Sequence, residues 1–67
     1  MKGQHDDVIN DFTELIRLDP DDAEAYGTRG QVYKQLGQKN QAIQDFEKAL
    51  NLDANLDWVK KELEEIR

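Results

Sequence analysis

Slid along itself by 34 positions, the chain meets its own pattern again. The stretch "GQHDDVINDFTELIRLDPD" (3–21) falls on "GQKNQAIQDFEKALNLDAN" (37–55). Gly3/Gly37, Gln4/Gln38, Ile9/Ile43, Asp11/Asp45, Phe12/Phe46, Leu18/Leu52 and Asp19/Asp53 are identical, and most other apolar positions meet apolar ones. Past residue 22 the identities stop, but Ala25/Val59 and Val32/Ile66 keep their character. A period of this length belongs to helical repeat architectures, in which a pair of helices buries its apolar face only by stacking on its neighbours.

Periodicity within the repeat predicts the helices. In 23–36, Ala25, Arg29, Val32 and Leu36 recur at helical spacing, with Tyr26 and Tyr33 beside them. In 39–52, Ala42, Phe46 and Ala49 form one stripe and Ile43 and Leu50 another; Val8, Phe12 and Leu15, with Ile9 and Ile16, are their counterparts in 5–18. Val59, Leu63 and Ile66 continue the pattern in 57–66. No stretch alternates as a strand would. Helices of this length joined by turns of a few residues form antiparallel hairpins. The expected fold is all-α: four antiparallel helices in a short stack, one mini-domain over 1–67.

The breaks between helices carry their own chemistry. Pro20 cannot continue the first helix, while Asp21 or Asp22 can accept from the free N–H groups of the next. Asp21 and Glu24 have capping-box spacing, and acids there suit the positive end of a helix dipole. Gly37 is placed to end the second helix in a left-handed conformation, and Gly3 to do the same for a preceding one. Asn55 or Asp57 is placed to cap the last helix.

Composition removes whole classes of function. At 67 residues there is one small domain at most. Without cysteine neither a disulfide framework nor a thiolate zinc site is available, and His5 is the only histidine, which excludes multi-histidine metal sites. No apolar run approaches a membrane span, and "MKGQHDD" does not resemble a signal peptide, so a cytoplasmic location is the default expectation. The net charge of −6 is concentrated at the front, where residues 1–22 carry seven acids against two bases. Such a surface repels phosphates and argues against nucleic acid as a partner.

The stretch "LDPDDAEAYGTRG" (18–30) invites two chemical readings, and neither survives. An EF-hand loop beginning at Asp19 needs an acid or Asn at its fifth position, Gly at its sixth and Glu at its twelfth; the chain supplies Ala23, Glu24 and Gly30. Gly27-Thr28-Arg29-Gly30 has the form of a nucleic-acid-gripping GxxG, but it lies inside a predicted helix whose N–H groups are already used, and no strands accompany it. Enzymatic activity is not expected either. Four short helices offer no desolvating cleft for the many carboxylates, and His5 has no nucleophile at a defined spacing. No cofactor and no metal are expected.

Residues 23–54, "AEAYGTRGQVYKQLGQKNQAIQDFEKALNLDA", resemble a complete tetratricopeptide repeat (the repeat unit being 23–56) of the subtype with Arg-Gly in its first helix. The resemblance rests on Tyr26, Gly30, Tyr33, Gly37, Ala42, Phe46, Ala49 and Leu52. Residues 3–20 resemble the second helix of a preceding repeat, and 57–67 a degenerate first helix or a capping helix. Ala54 departs from the terminal proline, and the last helix lacks the Gly and Tyr positions.

The resemblance implies that Gly30 lets the paired helix approach closely, opposite Ala42 and Ala49. Gly27 lacks that reason and is expected to weaken its helix by about 0.8–1 kcal/mol relative to Ala. The resemblance further implies a protein–protein interaction module whose first helices line a concave face for a partner peptide. By position that face comprises Glu24, Gln31, Lys34 and Gln35, with Trp58, Lys61 and Glu65 from the last helix; Trp58 can instead cover the end of the core. A clamp for acidic chaperone tails needs paired Lys and Asn, and Gly27 and Gln31 stand in their place. The alternative role is structural. Val8 and Leu15 are large where Ala42 and Ala49 are small, so this edge can contact neighbouring repeats or a second copy of the chain.

Overall fold

A computed structural model describes the backbone of residues 4–67 and the side chains from residue 7 onward. Four helices follow in order: α1 (Gln4–Leu18), α2 (Ala23–Gln35), α3 (Lys39–Leu52) and α4 (Asp57–Ile66). The periodic apolar stripes therefore locate every helix to within a residue or so at each end. Helix α2 packs on both α1 and α3, and α4 packs on α3. Gly3 and the His5 side chain lie outside the described residues.

The 34-residue period extends to the turns. After α1, Asp19 N donates to Leu15 O at 2.8 Å and Asp22 N to Asp19 O at 3.2 Å, while Asp21 N donates to the Asp19 carboxylate at 3.3 Å. After α3 the same three bonds recur: Asp53 N to Ala49 O at 2.9 Å, Leu56 N to Asp53 O at 3.4 Å, and Asn55 N to the Asp53 carboxylate at 3.0 Å. Asp19 and Asp53 thus close identical Asx-turns, the local bond that makes aspartate a turn residue. Proline is present in only the first turn, so it is the aspartate that defines this geometry.

The caps differ more than the sequence suggests. Asp22, not Asp21, caps α2, its carboxylate accepting from Ala25 N at 3.1 Å; the Asp21/Glu24 pair forms no capping box. Leu56 stands at the corresponding place before α4 and has no side-chain oxygen to offer, and neither Asn55 nor Asp57 caps that helix. Gly37 meets the expectation: with φ of 79° it ends α2, and Gln38 N bonds Tyr33 O (2.9 Å) while Gly37 N bonds Lys34 O (3.0 Å). This paired closure is the Schellman motif, and it satisfies carbonyls the helix end would leave free.

The core lies between α2, α3 and α4. Ala42, Phe46, Ala49, Val59 and Leu63 form its buried centre, with Tyr26, Tyr33, Ile43, Leu50, Leu56, Trp58 and Ile66 packed around it. Phe46 and Val59 are fully enclosed; burial of a side chain this size stabilises by about 1.5–3 kcal/mol. Both helical glycines of α2 are consequences of close approach, in opposite directions. A Cβ at Gly30 would lie 2.9 Å from the Phe46 ring and 3.1 Å from Asp45 Cβ, so α3 is the neighbour, although Phe46 rather than Ala42 or Ala49 stands nearest. A Cβ at Gly27 would lie 2.9 Å from both Trp58 Cη2 and Val59 Cγ2. The expectation that Gly27 lacks a packing reason is therefore wrong: it makes room for α4, a contact between residues about thirty positions apart that helical periodicity does not encode.

Candidate protein-interaction face

Arg29 ties three helices together. Its guanidinium forms a two-pronged pair with Asp45 of α3, Nε to Oδ2 and Nη2 to Oδ1, both at 2.8 Å. Nη1 donates to Thr13 Oγ1 of α1 at 3.2 Å. The Tyr26 and Tyr33 rings flank it, with centroids 5.7 and 5.8 Å from the guanidinium carbon. Asp45 is 5 % exposed, the sole buried charged residue among those described. The paired carboxylate raises the guanidinium's already high pKa, outweighing the opposing effect of burial. Periodicity places Arg29 on an apolar stripe but does not say what it does there. The physical answer is that a buried carboxylate is tolerated only when paired and fully hydrogen-bonded, and no buried side-chain N or O among the described residues is left without a partner.

With α2 fixed on α3 and Gly27 set against α4, the two first helices lie side by side and share one polar face. Lys34 Nζ donates to Glu62 Oε1 at 2.6 Å and to Glu65 Oε1 at 3.5 Å, and Gln31 Nε2 donates to Glu62 Oε2 at 3.2 Å. Glu62 holds Lys34 charged to higher pH than a free lysine. In return Lys34 draws the Glu62 carboxyl below the ordinary range, assisted by the Gln31 amide and against partial desolvation. Of the residues assigned to this face by position, Gln31, Lys34 and Glu65 are brought together through Glu62 and Lys34; Glu24, Gln35 and Lys61 are exposed. Trp58 is half-buried and packs on the core beside Gly27. Glu62, which accepts from both α2 side chains, is absent from the positional assignment. Its place one turn before Ile66 and between Lys61 and Glu65 was the available signal.

The opposite edge, on α1, is of another kind. Leu15 and Leu18 are the exposed large apolar residues, at 48 % and 71 %. Val8 and Phe12 are half-buried, whereas their counterparts one period on, Ala42 and Phe46, are wholly covered. Of the acids in the 18–30 stretch, Asp19 serves the turn and Asp22 the cap. Among the described residues no group of three ligating side chains could hold a metal, no pocket forms, and no helix is long and apolar enough to cross a membrane.

The repeated hairpin, the closure at Gly37 and the Gly30–Phe46 contact agree with two family models, "Tetratricopeptide repeat" over residues 23–56 and "TPR repeat" over residues 2–37. The chain belongs to the tetratricopeptide repeat family. Among its relatives are mouse tetratricopeptide repeat protein 14, 40 % identical over 48 residues (72 % of this chain, 6 % of the relative), and cellulose synthase operon protein C of Escherichia coli K12, 39 % identical over 51 residues (76 % and 4 %). A third is Hsp70-Hsp90 organizing protein 2 of Arabidopsis thaliana, 34 % identical over 50 residues (75 % and 9 %). The chain thus spans less than a tenth of the length of each of these three. No solved structure matches significantly. As a tetratricopeptide repeat unit it is a protein–protein interaction scaffold in the general sense of that family.

Proposed function

We propose that this unit binds a peptide or protein segment along the α2/α4 face. The observation that carries the reading is the Lys34–Glu62–Gln31 cluster. It fuses two helices into one continuous polar strip, flanked by Glu24, Gln35, Lys61 and Glu65, with Trp58 as its apolar wall. Side chains held in place by one another lose little rotamer freedom when a partner arrives, so less of the interaction energy is spent on ordering. The half-buried tryptophan offers flat area at the edge of the strip, the kind of side chain that anchors partners.

The charge of the strip speaks to what it accepts. Glu24, Glu62 and Glu65 outnumber Lys34 and Lys61, which disfavours a segment ending in acids. The relative named an Hsp70-Hsp90 organizing protein invites comparison with chaperone-tail binding. In this chain the clamp positions hold Gly27, set against Trp58, and Gln31, whose amide is engaged by Glu62. The favoured occupant is a segment with basic or amide side chains.

The test is a selection of random displayed peptides on the full chain, followed by amide chemical-shift mapping of the winners. Selected peptides are expected to shift Gln31, Lys34, Lys61 and Glu65, and to lose binding on Glu65→Lys, an exposed position, while the fold persists. Winners that map away from α2 and α4, or a selection that returns no specific peptide, would refute the proposal.

A further inference from the structure

Across the helices, Asp45 and Glu62 each have both carboxylate oxygens bonded, but in different ways. Asp45 receives a single guanidinium, Arg29 Nε on one oxygen and Nη2 on the other, each at 2.8 Å. Glu62 receives two separate side chains, Lys34 Nζ on Oε1 at 2.6 Å and Gln31 Nε2 on Oε2 at 3.2 Å. The places that two donors of α2 fill at Glu62 are those that one planar fork fills at Asp45. Glu65 turns a further oxygen toward the Lys34 ammonium at 3.5 Å, so two acids of α4 converge on one cation. Of the two partners in the closest pair, the lysine is the freer: its side chain is 36 % exposed against 20 % for Glu62. Lys34 is not among the residues that close the core, and its flexible stem can turn into water without opening it.

We infer that Lys34 is an internal stand-in for an arginine of the bound partner: Glu62 and Glu65 form the seat, and an incoming guanidinium takes it by displacing the lysine and the Gln31 amide. The inference rests on the α2/α4 reading and names the side chain that this face receives. Lys34 gathers the two carboxylates before the partner arrives, so the seat is already in place and only the lysine has to move. Arginine suits the seat better than lysine. Its fork can meet both Glu62 oxygens at once and still offer an N–H to Glu65, whereas Lys34 reaches only one of the Glu62 oxygens. The Trp58 indole lies against Gly27, one turn from Gln31, and Trp58 stands one turn from Glu62 along α4. It places beside the seat an aromatic side chain of the kind on which a guanidinium stacks. The chain as a whole carries a net charge of −6, which favours the approach of a cationic segment.

The probe is the capped tripeptide acetyl-Gly-Arg-Gly-amide, titrated into the isotope-labelled full chain beside versions with lysine or glutamine in the middle position. The arginine peptide is expected to shift the side-chain carboxyl signals of Glu62 and Glu65 and the side-chain amide of Gln31, and to bind more tightly than the lysine peptide. The glutamine peptide is expected to leave those signals unmoved. Because Lys34 competes for the seat, Lys34→Met should tighten the arginine peptide by about three-fold or more. Lys61→Met removes the same charge from an exposed residue of α4 that makes none of these bonds, and should tighten it less. Circular dichroism is expected to show both variants as helical as the parent. Equal tightening by the two variants would reduce Lys34 to a background charge and overturn the inference. So would Glu62 carboxyl signals that do not respond, or equal binding of the lysine peptide. Displayed peptides that map to α2 and α4 yet carry no arginine would sink the seat alone and leave the face standing.

Discussion

Removing the Arg29 side chain gives the sharpest test of how this small stack holds together. Arg29→Ala leaves the Asp45 carboxylate at 5 % exposure with both of its guanidinium bonds gone. The bond to Thr13 goes with them, and α1 loses its one described side-chain hydrogen bond to the rest of the stack. The intact pair is itself a modest stabiliser: at an effective dielectric constant near 20, unit charges about 4 Å apart attract by roughly 4 kcal/mol, and desolvation offsets much of that. Breaking a buried pair from one side is another matter, at about 3–5 kcal/mol. A domain this size has about 3–10 kcal/mol in total, so the variant should sit near its unfolding threshold. With a urea slope of about 1 kcal/mol/M, a loss of about 3–5 kcal/mol should lower the midpoint read from 222 nm ellipticity by roughly 3–5 M. Arg29→Met combined with Asp45→Leu removes the stranded charge and should return to within about 1 kcal/mol of the parent. If Arg29→Ala alone costs less than about 1 kcal/mol, the claim that this pair organises α1, α2 and α3 fails.

The two glycines of α2 should both resist alanine. Alanine gains about 0.8–1 kcal/mol in helix preference at either site, but Gly30→Ala pushes on the enclosed Phe46 ring and is expected to destabilise by about 1–2 kcal/mol net. Gly27→Ala meets not only the Trp58 indole but the enclosed Val59 Cγ2, each at 2.9 Å, and should likewise destabilise by about 1–2 kcal/mol net; thermal melts showing either alanine variant more stable than the parent would contradict the packing account. Asp22→Ala should cost about 1 kcal/mol through loss of the α2 cap, whereas Asp21→Ala should cost much less, a comparison that urea midpoints settle. The Lys34–Glu62 pair sets a pH window. Glu62 has a lowered folded pKa, so its contribution is complete above the ordinary glutamate value of about 4.3 and disappears as pH falls through the folded value. Lys34 has a raised one, so its contribution is complete below about 10.4 and disappears as pH rises through the folded value. The stability difference between parent and Lys34→Met should therefore be flat from about pH 5 to 9 and shrink beyond both ends; a difference that varies steadily across neutrality would be inconsistent with the pair.

The architecture was legible because a 34-residue shift and a helical stripe are local quantities, readable from spacing alone. Gly37 was legible for the same reason, since a glycine just past a periodic run has one common use. What spacing did not disclose was partnership across helices. Arg29 interrupts an apolar stripe, and Asp45 stands between Ala42 and Phe46 of another. Each is anomalous alone, and only the requirement that buried charges be neutralised connects them. Gly27 and Glu62 depend on how α2 meets α4, a geometry fixed by the intervening α3, so their roles emerge only with the assembled stack. The absent cap at Leu56 shows the reverse: nearby Asn55 and Asp57 suggested a cap, but the copied turn puts leucine in the capping place.

That copied turn has a consequence for any longer assembly of such units. Asp19 and Asp53 impose the same bend on the backbone by the same three bonds, and a fixed bend applied at fixed intervals winds a chain into a spiral. The pitch of that spiral then depends on a few residues around an aspartate as well as on the Gly37 closure and the close contacts between the helices.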